Sequence, residues 1–444
     1  MKKLQFLTFI TLLLFESNFI VAQIGNESPK WSLNRCIKYA LENNIDVKTT
    51  QYSVKTSEEE LKQAHSSIFP NLTFSSSQSL VNQKVDDGSG NFNNKGSYSG
   101  SYSLNSGITI YNGGAITNNI KQKEIAHKSD QLSSRETQNN ITISVTQAYL
   151  QIVYAYESVK INSETIKVSM AQLERAREFF KEGSISPVEL AQFESQLSND
   201  EYQLIVAQNT LAKAKLTLKQ ILELGINDNF EIEIPPIEEN LVLAPIPDLN
   251  TACQIALSVM PQIEKSKLSI ESSKLGEQIA KSGALPSISA NASVGTGNAN
   301  SSGYSFAEQL NNRLSQNIGL SISIPIYSKR SVRTSINKAQ IETQISILNS
   351  QNSEKELLST VETLHQNATS SSKRYISAKE KLKYYNKSYA LISEQFNEGL
   401  KNTVELMTER KNYLSAQQEV LESKFESLLS LKLLKFYMNE PIEL

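Results

Sequence analysis

At 444 residues the chain has room for two or three ordinary domains, and 39% apolar with 20% charged residues is a globular balance. A formal net charge of −2 offers no basic field to nucleic acid, so no nucleic-acid partner is expected. Serine, asparagine and glutamine are abundant and tryptophan occurs once, so the apolar surplus of one large core is missing; an extended shape, or surfaces completed by other subunits, is favoured.

The chain opens with Lys2 and Lys3, an apolar run from Leu4 to Phe15, and small Ala22 after Val21, the order of a secretory signal. Residues 1–22 are expected to be removed as a signal peptide after Ala22. The run falls short of the roughly 18 apolar residues that span a bilayer, which argues against an anchor. No later stretch approaches a spanning helix. An exported chain of this kind is either free beyond the inner membrane or inserted as strands. Cys36 and Cys253 lie away from the cleavage site, in short amphipathic segments. They read as small buried thiols or, in an oxidising compartment, as a disulfide.

A short helix, Leu33 to Asn43, comes next, then a second with apolar spacing from Val47 to Ala64, ending before Pro70. Two strands follow, "NLTFSSSQSL" and "SYSGSYSLNSGITIY", separated by the turn-rich "DDGSGNFNNKG". The second strand places Tyr98, Tyr102, Leu104, Ile108 and Ile110 on one face and Ser97, Ser99, Ser101, Ser103 and Asn105 on the other. Alternation over about ten residues suits a membrane β-barrel strand, and equally a soluble half-buried sheet.

From Gly114 to Glu182 there is no proline or internal glycine, and Ile141, Val145, Ala148, Ile152, Ala155, Val159, Ile166, Leu173 and Phe180 recur in heptad steps. Such a stretch predicts a helical rod of roughly 100 Å. After a turn at Gly183 a second helix begins at Pro187, with Leu190, Leu197, Leu204, Leu211 and Leu218 at every seventh position. Ala191, Ser198, Ile205 and Ala212 run beside them. Two adjacent seams predict partners on two sides, as in a wall of helices; an antiparallel coiled-coil stalk is the alternative.

The order then returns. "KEGSISPVEL" at 181–190 reappears as "NEGLKNTVEL" at 397–406, with Gly183 and Gly399 separated by 399 − 183 = 216 positions. The same offset matches Leu33-Asn34 with Leu249-Asn250, Ala40-Leu41 with Ala256-Leu257, Pro70 with Pro286, and Ile110-Tyr111 with Ile326-Tyr327. One register held over that distance is an internal duplication. It gives a first repeat over 23–224, a proline- and acid-rich extended linker over 225–248, and a second repeat over 249–444. The second pair of strands carries Ile288, Ala290, Ala292 and Val294, then Ile318, Leu320, Ile322, Ile324 and Ile326. Four strands cannot enclose water, because even an eight-strand barrel is filled by its own side chains; three chains would supply twelve.

No enzyme signature is present. His65, His127 and His365 lie far apart on polar helix faces without clustered metal ligands. "GTGNANSSG" follows a strand but opens no helix and carries no lysine, so it is no phosphate loop. Neither cofactor nor metal is expected.

The paired strands, long helix, glycine turn and second helix, made twice, resemble the TolC-type outer-membrane efflux protein family over Trp31 to Pro441. The tips that carry the likeness are "EGSISPVEL" and "EGLKNTVEL". The resemblance implies a mainly α fold with a β-barrel portion. Duplicated helical hairpins would form a trimeric α-barrel tunnel in the periplasm, and four strands per chain a twelve-strand barrel in the outer-membrane lipid. It implies a homotrimer that meets a periplasmic adaptor protein and an inner-membrane pump, and passive passage in efflux or type I secretion. An exported structural or adhesive coiled-coil protein is the rival reading. Carried onto this sequence, the resemblance places the adaptor-docking tips at Gly183, Ser184, Ile185 and Ser186 and at Gly399, Leu400 and Asn402. It puts Glu405 at the pore constriction, with Thr408 where the family often has a further acid, and a closed-state link between Glu189 and Lys401. Helix-start acids that complement the dipole are the plainer reading of both glutamates.

Overall fold

The structure, a computed structural model, describes residues 30–444 apart from Asp87, Ser301 and Ser302. The expected signal peptide lies outside the described residues. In chain order the elements are α1 (Leu33–Asn43), α2 (Ile45–Ser66), β1 (Asn71–Asp86), β2 (Phe92–Asn112), α3 (Ala115–Lys181), α4 (Pro187–Ile221), α5 (Glu239–Val242), α6 (Leu249–Val259), α7 (Pro261–Ser282), β3 (Ser287–Ala299), α8 (Phe306–Asn312), β4 (Ser315–Ser323), α9 (Ser331–Asn397) and α10 (Thr403–Tyr437). The pairs α1/α6, α2/α7, α3/α9 and α4/α10 are displaced by 216 positions and match in length, at 11, 22, 67 and 35 residues. Neither α3 nor α9 contains proline or glycine, so nothing interrupts their hydrogen-bond ladders for roughly 100 Å. Among the described residues no helix is long and apolar enough to cross a membrane.

The chain packs as two compact units. One holds residues 30–40, 145–238 and 443–444. Its buried side chains include Cys36 and Ala40 of α1, Val145, Tyr149, Ile152 and Val153 of α3, and Leu218 of α4. Trp31 pairs with Ile232 in a parallel bridge, stands edge-on to Tyr39 and Phe230, and carries the Arg35 guanidinium 4.4 Å above its ring. The Tyr149 hydroxyl donates to the Glu233 carbonyl at 2.5 Å. The start of the segment between the repeats is thereby tied down. Burial pushes the Cys36 thiol up to about 12, and both cysteines are free, so no disulfide forms.

In the α3–α4 hairpin the buried row on α4 is Phe193, Asp200, Ala207 and Ala214, again seven apart. Leu190, Leu197, Leu204 and Leu211 are only half-buried beside it. These two rows are the a and d positions of one seam. Asp200 accepts from Ser169 at 2.5 Å and from Gln196 at 2.9 Å, the partners a buried carboxylate requires. The second expected row, Ala191, Ser198, Ile205 and Ala212, is exposed in the single chain.

The other unit holds residues 41–144 and 239–442. Its core gathers Ala252, Ala256, Met260 and Ile263 from the α6–α7 corner against Leu357 and Val361 of α9 and Leu434 of α10. The α9–α10 hairpin adds a stacked Tyr389–Tyr413 pair and the ion pairs Arg374–Glu426 and Lys381–Glu419. One-turn α5 is held by Lys379 on Glu239 and by Ser427 on the Val242 carbonyl.

The sheet also belongs to this unit. It is antiparallel throughout, in the order β1-β2-β3-β4, so the two repeats join through β2 and β3. The register sets Phe74 beside Leu104, Leu104 beside Val294, Ala292 beside Ile318 and Ala290 beside Leu320. One face is therefore apolar across all four strands, and it is bare: Leu80 is 81% and Ile318 88% exposed. The opposite face aligns Ser75, Ser77 and Ser79 with Ser103, Ser101 and Ser99, and Ser289 with Ser321.

Three local expectations are corrected. β2 begins at Phe92, so the β1–β2 connection is shorter than "DDGSGNFNNKG"; cross-strand pairing overrides the turn composition of its last residues. β4 stops at Ser323, leaving Ile324 and Ile326 outside the strand, because Pro325 has no N–H for a ladder. The segment after "GTGNANSSG" does open a helix: α8, started by a capping box between Ser305 and Glu308.

Candidate functional site

The two hairpin tips are the most specific feature of the sequence, and their backbones match bond for bond. At the first, Gly183 N–H donates to the Phe180 carbonyl at 3.0 Å and Ser184 N–H to Phe179 at 2.8 Å. At the second, Gly399 N–H donates to Phe396 at 3.0 Å and Leu400 N–H to Gln395 at 2.8 Å. Both are Schellman closures, which need a left-handed residue at the turn. Gly183 at φ 74° and Gly399 at φ 72° supply it, and nothing lies within 4 Å of where a Cβ would stand.

The helices that follow start alike. Ser186 Oγ accepts from Glu189 N–H at 3.3 Å, and the Glu189 carboxylate accepts from Ser186 N–H at 2.8 Å. Asn402 Oδ1 accepts from Glu405 N–H at 2.9 Å, and Glu405 accepts from Asn402 N–H at 3.2 Å. Both acids thus complete capping boxes and satisfy backbone donors that the helix leaves open.

The tips differ in charge. The Lys401 ammonium meets Glu405 Oε1 at 2.8 Å, whereas the matching position of the first tip is Ile185. Hydrogen bonding to Lys401, then to the Asn402 backbone, holds the Glu405 carboxyl below the usual carboxylate range. A lowered pKa means that this contact is complete above the ordinary carboxylate pKa and is lost as pH falls through the lowered one. Thr408 is exposed, and its hydroxyl donates back to the Val404 carbonyl at 2.7 Å. Ser184 and Leu400, beside the turn glycines, are exposed, and Ile185 is half-buried.

Glu189 and Lys401 each have a partner on their own hairpin. The Lys401–Glu405 pair is an i,i+4 spacing, a signal carried by the sequence itself. The histidines are placed apart from both tips in sequence. His127 Nδ1 lies 3.0 Å from Ser57 Oγ and its Nε2 2.9 Å from the Gln131 amide, while His65 Nε2 is 3.8 Å from the Glu124 carboxylate. That last carboxylate neighbour was not apparent from the sequence. Among the described residues no three His, Cys, Asp or Glu side chains gather as a metal site requires.

A family model described as outer membrane efflux protein matches residues 36–223 and 252–439, two stretches again 216 positions apart. Solved structures of similar fold include the CusC channel, with a TM-score of 0.80 and 17% identity over 90% of this chain and 91% of that one. The CmeC outer membrane channel of Campylobacter jejuni gives 0.77 and 19% over 90% and 84%. The outer membrane protein VceC of Vibrio cholerae gives 0.76 and 15% over 93% and 97%. At such identities the likeness is one of fold. No curated protein is a significant match in sequence.

Proposed function

The chain belongs to the outer membrane efflux protein family, and on that premise we propose that it is the exit duct of a three-part efflux or type I secretion system. As a family member it is an outer-membrane channel protein with a periplasmic helical tunnel, not an enzyme. In the proposed system an inner-membrane pump and a periplasmic adaptor deliver substrates, and this chain conducts them passively to the exterior.

The two-faced sheet carries the reading. Its apolar face is exposed on every strand while its other face is mainly serine, asparagine and glycine, with Val81 and Val85 toward the end of β1, the division between lipid and a wet lumen. Strands β1 and β4 are edges with unpaired backbone groups, which a membrane-inserted sheet must close. Three copies close them as twelve strands and leave a lumen, where two copies would not. The exposed second row of α4, with Ile205 at its middle, suits the flank of a neighbouring helix in the same trimer.

At the periplasmic end the exposed turns, Gly183 to Ser186 and Gly399, Leu400 and Asn402, would meet the adaptor. Three copies of Glu405, with Thr408 one turn on, would line the constriction. In the closed tunnel Lys401 would turn from Glu405 to Glu189 and link hairpins.

Single cysteines at Leu104, Leu320, Ser103 and Ser321, in a chain whose native cysteines are replaced, test the reading in outer-membrane vesicles. A water-soluble thiol reagent should label the two serine positions and spare the two leucine positions. Equal labelling of all four would overturn the barrel, and a chain recovered as a soluble monomer would favour the structural coiled-coil alternative.

A further inference from the structure

Among the described residues helix α8 has no counterpart in the first repeat, where β1 ends at Asp86 and β2 begins at Phe92. It starts six residues after Asn300 and lies at the end of β3 away from α7. Three contacts fix its position. The Thr296 hydroxyl donates to the Leu310 carbonyl at 2.5 Å. Gln309 is buried; its Oε1 accepts from the Ala299 N–H at 2.7 Å and its amide donates to the Tyr304 carbonyl at 2.8 Å. The Phe306 ring stands edge-on to Tyr102 at 6.5 Å.

Register identifies the face that α8 covers. Thr296 lies opposite Tyr102, and two residues along the same strands Val294 lies opposite Leu104. Alternation puts all four on the apolar face. The helix also covers β3 beyond Gly295, where β4 no longer pairs, and Gln309 satisfies a strand N–H that would otherwise be an open edge. Beside it, Gln78 on the same face is satisfied by two tyrosines: it accepts from the Tyr98 hydroxyl at 2.5 Å and donates to the Tyr102 hydroxyl at 2.9 Å. The exposed surface of this corner carries Tyr304 at 64%, Phe306 at 54% and Leu314 at 54% exposure, set among the polar Glu308, Asn311, Asn312 and Arg313.

We propose that α8, held over the apolar face by Thr296 and Gln309, is an interfacial foot that seats Tyr304, Phe306 and Leu314 in the headgroup–acyl boundary of the outer leaflet. Lipid is the occupant because the surface is continuous with the lipid-facing strands and combines apolar bodies with tyrosine hydroxyls, the composition of a membrane-interface belt. The proposal rests on the lipid-facing assignment of the sheet, which a separate variant tests.

Trp31 is the single tryptophan, so Trp31→Phe gives a dark background. Phe306→Trp, Leu104→Trp and Ser103→Trp are each placed in the full chain and reconstituted in vesicles of lipids brominated near the headgroup or near the chain end. Aqueous iodide is the second quencher. Leu104→Trp should be quenched by bromine and spared by iodide; the reverse would remove the parent assignment and the foot with it. With that arm intact, Phe306→Trp should be quenched at least twofold more by shallow than by deep bromine, and by iodide less than half as strongly as Ser103→Trp. Iodide quenching equal to Ser103→Trp would place α8 in water and overturn the foot. Shielding from both quenchers would place it against protein and overturn it equally. Tyr304→Trp carries the same test if Phe306→Trp does not assemble.

Discussion

Two residues past the turn glycine, the first hairpin tip carries Ile185 and the second Lys401. Everything else in the local backbone agrees: the 3.0 and 2.8 Å closure bonds, the left-handed glycine, the capping box and its glutamate. At the first tip the acid closes its box on the Ser186 N–H, and at the second the same acid is also engaged by the Lys401 cation. Backbone geometry and charge have separated in the two copies. The shared part belongs to the fold, and the unshared part is where a gate would be built.

The largest effect expected on this comparison is on its shared part. Gly183→Ala and Gly399→Ala each place a Cβ in the left-handed region with open space around it, so only backbone strain opposes them, roughly 1–2 kcal/mol. Thermal dissociation of the detergent-solubilised assembly should fall by similar amounts for the two. A fall at one tip alone would show that the turns are not equivalent.

Removing the caps comes next. Ser186→Ala and Asn402→Ala should each cost about 1 kcal/mol, with Asp at either position restoring most of it. Hydrogen exchange of the first turn of α4 and α10 measures this locally. Unchanged protection after Asn402→Ala would mean that something other than the capping box holds that helix start.

The smallest effect concerns the difference itself. Lys401→Met removes the main cause of the lowered Glu405 pKa, so Glu405 should titrate at higher pH than in the parent. Cation selectivity in planar bilayers should then be lost at a higher pH on acidification. An unshifted selectivity profile for Lys401→Met would leave Glu405 outside the conducting path.

The sequence made the skeleton legible because its signals were long. A heptad over Val145, Ile152 and Val159 and a 216-residue offset accumulate evidence with every turn, and so fix long paired helices made twice. Shorter signals were lost. α8 spans seven residues and is anchored by Gln309 on the Ala299 N–H, an interaction that exists only once β3 has formed its strand against β2. Ser169, Gln196 and Asp200 are ordinary polar residues until the hairpin folds them together. At the tips Glu189 and Glu405 were legible as helix-start acids, whereas the capping boxes they close with Ser186 and Asn402 emerge in the structure and their functional assignment came from family likeness.

The equal lengths of the twin helices, 67 with 67 and 35 with 35, limit how this gene can change. Deleting one residue from the middle of α3 would rotate everything beyond it by about 100° and carry Val145 or Ile152 out of the core. Deleting seven would return the seam to within about 20°. Substitution is thus an open route of divergence along the rods, while insertions and deletions are confined to steps of a heptad or to the loops between strands.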